Sequence, residues 1–599
     1  MEKHISWLTD AEQELEKAVL AAYSDEEVRK HLEYFTTLTR IAGTEDELKA
    51  AEYIRDKLTE YGLEAEIQEF DAYISHPAEA ELTIISPVQE SFPALSHAFI
   101  VSTPPGGMEA ELIAIGKGLA EDYQGVDARG KIVLIKPGSG EEQVNAARLA
   151  EEKGALAQIH ITSGRPRSIN IMQLRNTWGS PTVETLSRVP GMPGISICSE
   201  DGERLAALAK NGPVRARLKA KAWRGYRKIR HPLGFLRGTR EPEKYVLFAA
   251  HYCSWYVGAT DNAAANALLL EMARIFAKFR DQLGRSIRFA WWAGHSQGTF
   301  AGSTWYLDNF WDDVRDNAVA YLVMDGLGRA GSAGFEPRNT EEIRKFHEQV
   351  VKDALGLETK SNRVSKSGDQ SYWGMGLPSF TGSPVFPKGP AADPAGKKGW
   401  YSHTEEDTLD KVDRALLTIP FRVNATSILR LCNNAVLPLE FVTVAELYKK
   451  GLKDLQEDNK SSLDLTPLLA QVEELENKAR SLNEAIGQNL ALLAEKGEAS
   501  GLKSETAAIN ACLMGLGRLL LPLLSSRAGR YGQDPMGTKF KPIPALQALR
   551  DLHKLDPASE AYQALATSLR RERNRVSDTL AAANRLLQNT LNSPAGAKP

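Results

Sequence analysis

Hydrophobic positions near the N-terminus follow first a helical and then a strand-like period. Between residues 46 and 61 the apolar side chains have helical spacing, and Gly62 follows them as a helix C-cap. Residues 63–70 alternate between apolar and polar side chains, which is typical of a half-buried strand. The segment 1–75 is therefore expected to form mixed α/β structure.

The pattern changes between residues 76 and 225, where short strands and Gly/Pro turns dominate. Apolar runs at 131–135 and 156–161 predict buried strands, and residues 142–153 between them have helical spacing. These features predict a small inserted domain that is rich in β-structure.

Continuous apolar runs alternate with helical patterns from residue 226 to residue 440. The predicted strands and helices, in chain order, are Tyr245–Ala250, Asn262–Phe279, Ile287–Ala293, Phe300–Phe310 and Ala318–Met324. Strands that are apolar on both faces and alternate with helices favour a parallel sheet that is covered on both sides. The prediction is an α/β fold of the phosphorylase/hydrolase-like type, a mostly parallel sheet with helices on both faces.

From residue 441 to the end the hydrophobic period is helical. Thr466 and the proline after it form a helix start, and the last helix is expected at 559–587. The apolar stripes of this C-terminal helical domain include residues 513–524, a stretch too short and too interrupted to span a bilayer. Surplus apolar surface of this kind predicts a homodimer through the C-terminal helices.

Composition and charge narrow the possible functions. The chain has 599 residues, enough for several domains, and its net charge of -4 does not indicate nucleic acid or membrane as a partner. The first residues are polar, without the apolar segment of a secretory signal. Four scattered cysteines suit a reducing compartment, so we expect a cytoplasmic protein.

Residues that can bind a metal follow the predicted strands, where open α/β sheets bind their ligands. They are His251, Asp261, the pair His295-Ser296, Asp325 and, further along the chain, His403. Each one alone has an ordinary structural explanation; Asp261, for example, could be a helix N-cap. Together they offer the imidazole and carboxylate groups that bind zinc and similar divalent ions.

Several segments resemble the co-catalytic zinc aminopeptidases, in the branch of glutamate carboxypeptidase II and the transferrin receptor. Arg40-Ile-Ala-Gly-Thr-Glu45 is similar to the opening segment of that family, Gly130-Lys-Ile-Val-Leu to its protease-associated domain, and Leu431–Phe441 to the entry into its helical domain. The resemblance implies a catalytic α/β domain at 1–75 and 226–440, a protease-associated domain at 76–225 and a dimerisation domain at 441–599.

The resemblance also implies roles for the candidate residues. His251 and Asp325 would bind one metal ion, Asp261 would bridge two ions, and His403 would bind the second. Zinc is the expected ion, with one or two ions per chain. Supporting or substrate-contacting positions are expected at Asp369, Tyr401 and Asp407.

The pair His295-Ser296 departs from the family, which has two adjacent glutamates at this place. The first glutamate is the general base and the second is a metal ligand. His295 can act as a base, because imidazole titrates near neutrality, or it can be a ligand itself. Ser296 brings little charge, so the second ion is expected to bind weakly or not at all.

Three functions are compatible with these residues. The resemblance favours a metal-dependent, aminopeptidase-like hydrolase of peptide or small N-acyl amide bonds, with His295 and Ser296 at the catalytic position. The segment Gly294-His-Ser-Gln-Gly298 also matches the nucleophile elbow G-x-S-x-G, with Asp325 or Asp369 and then His403 completing a serine hydrolase triad. The third possibility is an inactive binding or scaffold protein of the transferrin receptor type.

Overall fold

The computed structural model of the protein describes residues 10–138, 141–162, 165–175, 177–387, 399–458, 463–496 and 503–593. Its first helices are α1 (Asp10–Ala21), α2 (Asp25–Thr36) and α3 (Glu45–Glu60). The hydroxyl oxygens of Ser24 and Thr44 accept backbone N–H groups at the starts of α2 and α3, which is why these two helices begin where they do.

Two long antiparallel strands join the two halves of the molecule. They are β1 (Glu64–Ser86) and β8 (Val214–Leu236), paired along almost their whole length. The expected strand at 63–70 is only the first part of β1. The expected boundaries at 75/76 and 225/226 fall within these continuous strands, where Ile74 lies opposite Gly225. The four-domain division stays a prediction.

The segment between β1 and β8 has its own hydrophobic core. Its elements are β2 (Glu90–Phe92), β3 (Leu95–Ser96), β4 (Met108–Ala114), β5 (Ile132–Ile135), α4 (Glu141–Glu152), β6 (Ala157–Ile161), β7 (Gly194–Ile197) and α5 (Ser199–Asn211). Strands β4 to β7 pair in parallel, and their side chains form a cluster around Leu112, Leu134 and Ile159. We refer to this segment as the insert; its assignment as a protease-associated domain stays a prediction.

The central sheet is mostly parallel, as the apolar runs predicted. Its further elements are β9 (Glu241–His251), α6 (Ala264–Lys278), β10 (Arg285–Trp292), α7 (Ala301–Asn309), α8 (Trp311–Asn317), β11 (Ala318–Met324), β12 (Phe335–Asn339), α9 (Arg344–Leu355), β13 (Asn362–Arg363), β14 (Ser379–Pro384) and α10 (Thr418–Asn433). The strand order is β13-β12-β14-β11-β9-β10-β8. Alternate side chains of β9 enter two different clusters, Phe248 on one face and Leu247 on the other, so both faces of the sheet are covered.

The C-terminal region is helical, as expected: α11 (Val442–Glu457), α12 (Thr466–Lys496), α13 (Lys503–Ser525), α14 (Leu549–Leu552) and α15 (Glu560–Leu591). In the described part of the chain, Glu505–Ser525 is the one helix with the length and hydropathy, 1.7, to cross a membrane; 72% of its most apolar window is buried inside the protein. The guanidinium of Arg518 donates to the carbonyl oxygens of Gly376 and Ala318. The prediction of surplus apolar surface at 513–524 is therefore wrong, because this stretch packs within the chain.

Candidate metal centre at the carboxyl ends of the central strands

Three neighbouring strands deliver polar side chains to one edge of the sheet. His251 is the last residue of β9 and lies opposite Trp292, the last residue of β10. Asp325 follows directly after β11, whose last residue pairs with Ala250. Because these strands are parallel, their carboxyl ends meet, and His251, Asp325 and His295 converge there.

Asp261 and Asn262 lie in a short turn, Ala259–Ala263, that precedes α6. The side-chain amide of Asn262 donates to the carbonyl oxygens of His251 (3.2 Å) and Met324 (3.1 Å), and its oxygen accepts the N–H of Gly326 (3.0 Å). This buried amide ties the ends of β9 and β11 to the turn that carries Asp261. The role of Asn262 cannot be predicted from the sequence, since an asparagine beside a candidate ligand has no distinctive pattern.

His251 faces two carboxylates at distances that suit a bound ion. Its Nδ1 donates to the carbonyl oxygen of Cys253 at 3.0 Å, so Nε2 is the nitrogen that is left to bind a ligand. Nε2 lies 3.2 Å from Oδ1 of Asp261 and 3.4 Å from Oδ1 of Asp325, and it has no hydrogen-bond partner in the described part of the chain. Ligand atoms around a tetrahedral zinc ion are separated by about 3.3–3.6 Å, given bond lengths of about 2.0–2.2 Å. Each carboxylate oxygen therefore lies at a distance from Nε2 of His251 that suits a shared divalent ion.

The electrostatics of this cluster also suit a cation. Burial acts to lower the pKa of His251, but the carboxylates of Asp261 and Asp325 outweigh burial and raise the pKa well above its usual value. Burial likewise acts to raise the pKa of Asp261, and His251 and His403 hold it well below its usual value. The site thus stabilises positive charge beside two ionised carboxylates. Asp325 keeps 35% of its side chain exposed, which leaves access from solvent.

His403 reaches Asp261 from the opposite side. Its backbone has φ +62°, and its Nδ1 donates to the carbonyl oxygen of Ile171, in the insert, at 3.1 Å. Nε2 lies 3.2 Å from Oδ2 of Asp261. The carbonyl oxygen of Tyr401 accepts the N–H and hydroxyl of Thr404, so the buried Tyr401 closes the turn that presents His403.

His295 is fixed by a carboxylate. Its Nδ1 donates to Oδ2 of Asp369 at 2.6 Å, which leaves Nε2 directed away from that carboxylate. Asp369 is fully buried, with φ +59°; its Oδ1 accepts the hydroxyl of Ser303 at 2.7 Å and its carbonyl oxygen accepts that of Tyr321 at 3.1 Å. The sequence placed Asp369 near the site but did not pair it with His295.

His295 stacks on His251 in an orientation that would keep the two rings from binding the same ion. The ligand atoms of His251, His295 and Asp325 lie within 4.8 Å of one another, but the two imidazole rings are stacked, with centroids 3.8 Å apart and planes 16° apart. An ion bound to an imidazole nitrogen lies in the plane of that ring. Two planes stacked at this separation do not meet at one ion, so His295 would lie beside an ion that His251 would hold.

Ser296 carries no charge, and its surroundings are not those of a serine nucleophile. It is 3% exposed, and no hydrogen bond joins its hydroxyl to a histidine in the described residues. A nucleophile elbow needs a strained serine whose hydroxyl is exposed. Positive φ angles occur instead at Gly294, Thr299 and Phe300.

Asp407 and Arg329 flank Asp261. Oδ1 of Asp407 accepts the N–H of Thr260 at 2.9 Å, and burial raises the pKa of Asp407 to about 6, with Asp261 adding to the shift and Arg329 opposing it. Nη2 of Arg329 lies 4.0 Å from Oδ2 of Asp261, and the residue is 4% exposed. Arg329 was not predicted, because a single arginine after a strand carries no pattern.

Two aromatic side chains, one from the insert and one from the segment before α7, close one side of the site. The ring of Phe300 packs edge-on against His295 at 4.7 Å and stacks on Trp178 of the insert at 4.0 Å. Met536, from the C-terminal region, belongs to the same apolar cluster. The central domain, the insert and the C-terminal region therefore all contribute to the apolar cluster beside His295.

Comparison with known proteins shows that part of this chain is similar to one peptidase family. Residues 233–427 match the model of Peptidase family M28. The chain is 24% identical over 500 residues to a probable glutamate carboxypeptidase VP8 of Zea mays, covering 71% of this chain and 69% of that protein. It is 23% identical over 392 residues to transferrin receptor protein 2 of Homo sapiens, covering 56% of this chain and 47% of that protein. The matched share of these relatives is thus about half to two thirds of their length.

A solved structure shows the same fold. It is the Peptidase M28 precursor from Shewanella amazonensis, with 19% identity, a TM-score of 0.59, and coverage of 72% of this chain and 98% of that one. The mostly parallel central sheet, the likeness to this solved structure and the family match are consistent with one another. Segment 233–427 of this chain is therefore similar to peptidase family M28, and the relatives it resembles include a probable glutamate carboxypeptidase and a transferrin receptor protein.

Proposed function

We propose that this protein is a metal-dependent hydrolase of peptide or small N-acyl amide bonds. The observation that carries the proposal is the position of His251 Nε2, 3.2 Å and 3.4 Å from the carboxylates of Asp261 and Asp325. These three side chains would hold a divalent ion, for which zinc is the first candidate. Such an ion, when bound, polarises the scissile carbonyl and lowers the pKa of water.

His295 and Asp369 would move the proton. Asp369 accepts the Nδ1–H of His295, which fixes the tautomer in which Nε2 is the proton acceptor. His295 would take a proton at Nε2 from the attacking water and pass it to the leaving amine. This Asp–His pair would replace the glutamate that serves as the base in the family. The hydroxyl of Ser303 on the other oxygen of Asp369 holds the carboxylate in place.

The surroundings support an amide substrate that approaches from the Asp325 side. Asp325 is the most exposed of the proposed ligands, with 35% of its side chain accessible, whereas Asp261 keeps 10%. Phe300 and Trp178 form an apolar wall next to His295, which would exclude water from the proton-transfer step. A glutamate carboxypeptidase among the relatives supports peptides with acidic ends as the first substrates to test.

The decisive experiment combines metal analysis with a substrate screen. We expect the protein, purified without chelator, to contain zinc, and to hydrolyse members of a panel of aminoacyl, N-acetylated and glutamyl amides. His251→Ala should abolish both metal binding and turnover, while Asn309→Ala, an exposed residue on α7, should change neither. No metal after incubation with zinc, manganese, cobalt or iron would reject the metal mechanism.

A binding or scaffold role is the second candidate. The observation that favours it is the replacement of both family glutamates by His295 and Ser296, together with the transferrin receptor among the relatives. This role predicts a folded protein that lacks turnover on the whole amide panel. Metal-loaded protein with no turnover would support this candidate over the hydrolase.

We also propose a cytoplasmic homodimer that forms through the C-terminal helices. All four cysteines are free and buried, which suits a reducing compartment. The apolar face of α13 packs within the chain, so the dimer surface would have to come from α12 and α15. A monomer by light scattering would reject the dimer, and cell fractionation would test the location.

A further inference from the structure

We propose that the chain binds a single metal ion and that the guanidinium of Arg329 supplies the positive charge at the place of the family's second ion. The inference rests on the proposed metal-dependent function and deepens it. It assigns to Arg329, which no motif singles out, the role of a built-in cation beside Asp261.

The two halves of the centre differ in their donors. His251 faces two carboxylate oxygens, one from Asp261 and one from Asp325. On the other side, His403 faces only the second oxygen of Asp261, at 3.2 Å. The family's additional carboxylate is replaced by the neutral hydroxyl of Ser296. The first half-site therefore offers two negative charges to a divalent ion, and the second half-site offers only the carboxylate that is already shared.

Arg329 is held next to that shared carboxylate. Its Nη2 lies 4.0 Å from Oδ2 of Asp261, the oxygen that His403 also faces. The guanidinium packs against Gly326, where a Cβ atom would come within 2.5 Å of Nη2. Gly326 also has φ +66°, so two independent features keep this position free of a side chain. The backbone of Arg329 pairs with Val412, which anchors the residue after β11.

A second ion and the guanidinium would compete for the same carboxylate oxygen. An ion bound to Oδ2 of Asp261 lies about 2.0–2.2 Å from it, and therefore at most about 6 Å from Nη2 of Arg329. That separation is shorter than the screening length of about 8–10 Å at physiological salt, and both charges are removed from solvent. Repulsion between them disfavours a second ion for as long as Arg329 keeps its position and charge.

The test is the number of zinc ions per chain, measured on the full chain by elemental analysis after equilibrium dialysis against buffered zinc. We expect one zinc per chain in the wild type. The double variant Ser296→Glu with Arg329→Met restores the missing carboxylate and removes the competing charge. It should bind two zinc ions per chain. The affinity for the second zinc should be at least about tenfold higher than in Ser296→Glu alone.

The matched control is Ser296→Glu with Arg329→Lys, which keeps a positive charge and should stay at one zinc. Thermal unfolding of each variant checks that it folds, and Arg329→Gln replaces Arg329→Met if the methionine variant does not. Two ions of similar affinity in the wild type would overturn the inference and leave the proposed function intact. A wild type that binds none of zinc, manganese, cobalt and iron would overturn the proposed function and this inference with it. If the two double variants, with methionine or lysine at position 329, bind the second zinc with equal affinity, the role of Arg329 as a competing charge is overturned.

Discussion

Nδ1 of His295 donates to Oδ2 of Asp369 at 2.6 Å, and this bond joins two residues that are 74 positions apart in the chain. His295 follows β10, whereas Asp369 lies in the loop before β14. The pair has the arrangement in which a buried carboxylate orients an imidazole for proton transfer. It lies against His251, with ring centroids 3.8 Å apart, so the proton acceptor is next to the proposed metal ligand.

Asp369→Asn should lower kcat by about a hundredfold or more and leave the zinc content unchanged. The asparagine keeps the size of the side chain but cannot stabilise a charged imidazole, and proton transfer typically contributes about 10²–10⁴-fold to the rate. The readouts are kcat, KM and the pH–rate profile on an amide substrate, with zinc analysis beside them. Ser303→Ala, which removes one hydrogen bond to Asp369, should cost less. A His295→Ala variant with full turnover would eliminate the proton-transfer role.

The strands that carry the site could be predicted from the sequence because they are continuous apolar runs. Residues 245–250, 287–293 and 318–324 gave the central strands to within a few residues, and the polar residues just past them include His251 and Asp325. The rule that ligands bind at the carboxyl ends of such strands then predicted the convergence.

The remaining parts of the site depend on contacts between distant residues, which a local pattern does not contain. Arg329 contacts Asp261 only because β11 lies beside β9, and Asp369 meets His295 only after the loop before β14 has folded back. The long pairing of β1 with β8 was missed for the same reason, since its partners are up to about 170 residues apart. Buried α13 was interpreted as a dimer surface, because composition alone does not say which chain covers an apolar helix.

Asn262→Ala should destabilise the protein by about 2–4 kcal/mol. The substitution leaves the carbonyl oxygens of His251 and Met324 and the N–H of Gly326 without their partner, and a buried unpaired polar group costs about 1–3 kcal/mol. Denaturant unfolding measures the loss. Asn309→Ala, at an exposed position of α7, is the control and should change stability by less than about 0.5 kcal/mol. Equal stability of the two variants would show that the amide does not hold the strand ends.

Glu342→Gln should stabilise the protein above neutral pH. Burial raises the pKa of Glu342 to about 7 from its usual 4.5. The hydroxyl of Thr340 donates to Oε1 of Glu342 at 2.6 Å, and this hydrogen bond partly opposes the rise in pKa. Because the folded state binds this proton more tightly than the unfolded state, stability falls as pH rises from about 4.5 to 7. The glutamine removes this loss, which is at most about 3 kcal/mol.

The measurement for Glu342 is the free energy of unfolding between pH 4 and pH 8, compared between wild type and variant. The difference should grow across this range and level off above pH 7. Glu52→Gln, on the exposed face of α3, is the matched control and should run parallel to the wild type. A constant difference across the range would mean that Glu342 does not titrate there.

Leu516→Ala in α13 should destabilise the monomer by about 2–5 kcal/mol, because the side chain is completely buried within the chain. Leu519→Ala, on a partly exposed position of the same helix, should cost clearly less. Thermal or denaturant unfolding at two protein concentrations measures both. Concentration-dependent losses of equal size at the two positions would indicate that α13 forms an interface between chains and is not part of the core.

Ser296→Ala should retain amide hydrolysis within about threefold of the wild type. Its hydroxyl is 3% exposed and has no hydrogen bond to a histidine in the described part of the chain, so it lacks the base that a serine nucleophile needs. Labelling with a fluorophosphonate probe provides an independent readout, and we expect no label on Ser296. Stoichiometric labelling that Ser296→Ala abolishes, together with loss of turnover and no effect of chelators, would replace the metal mechanism with a serine hydrolase.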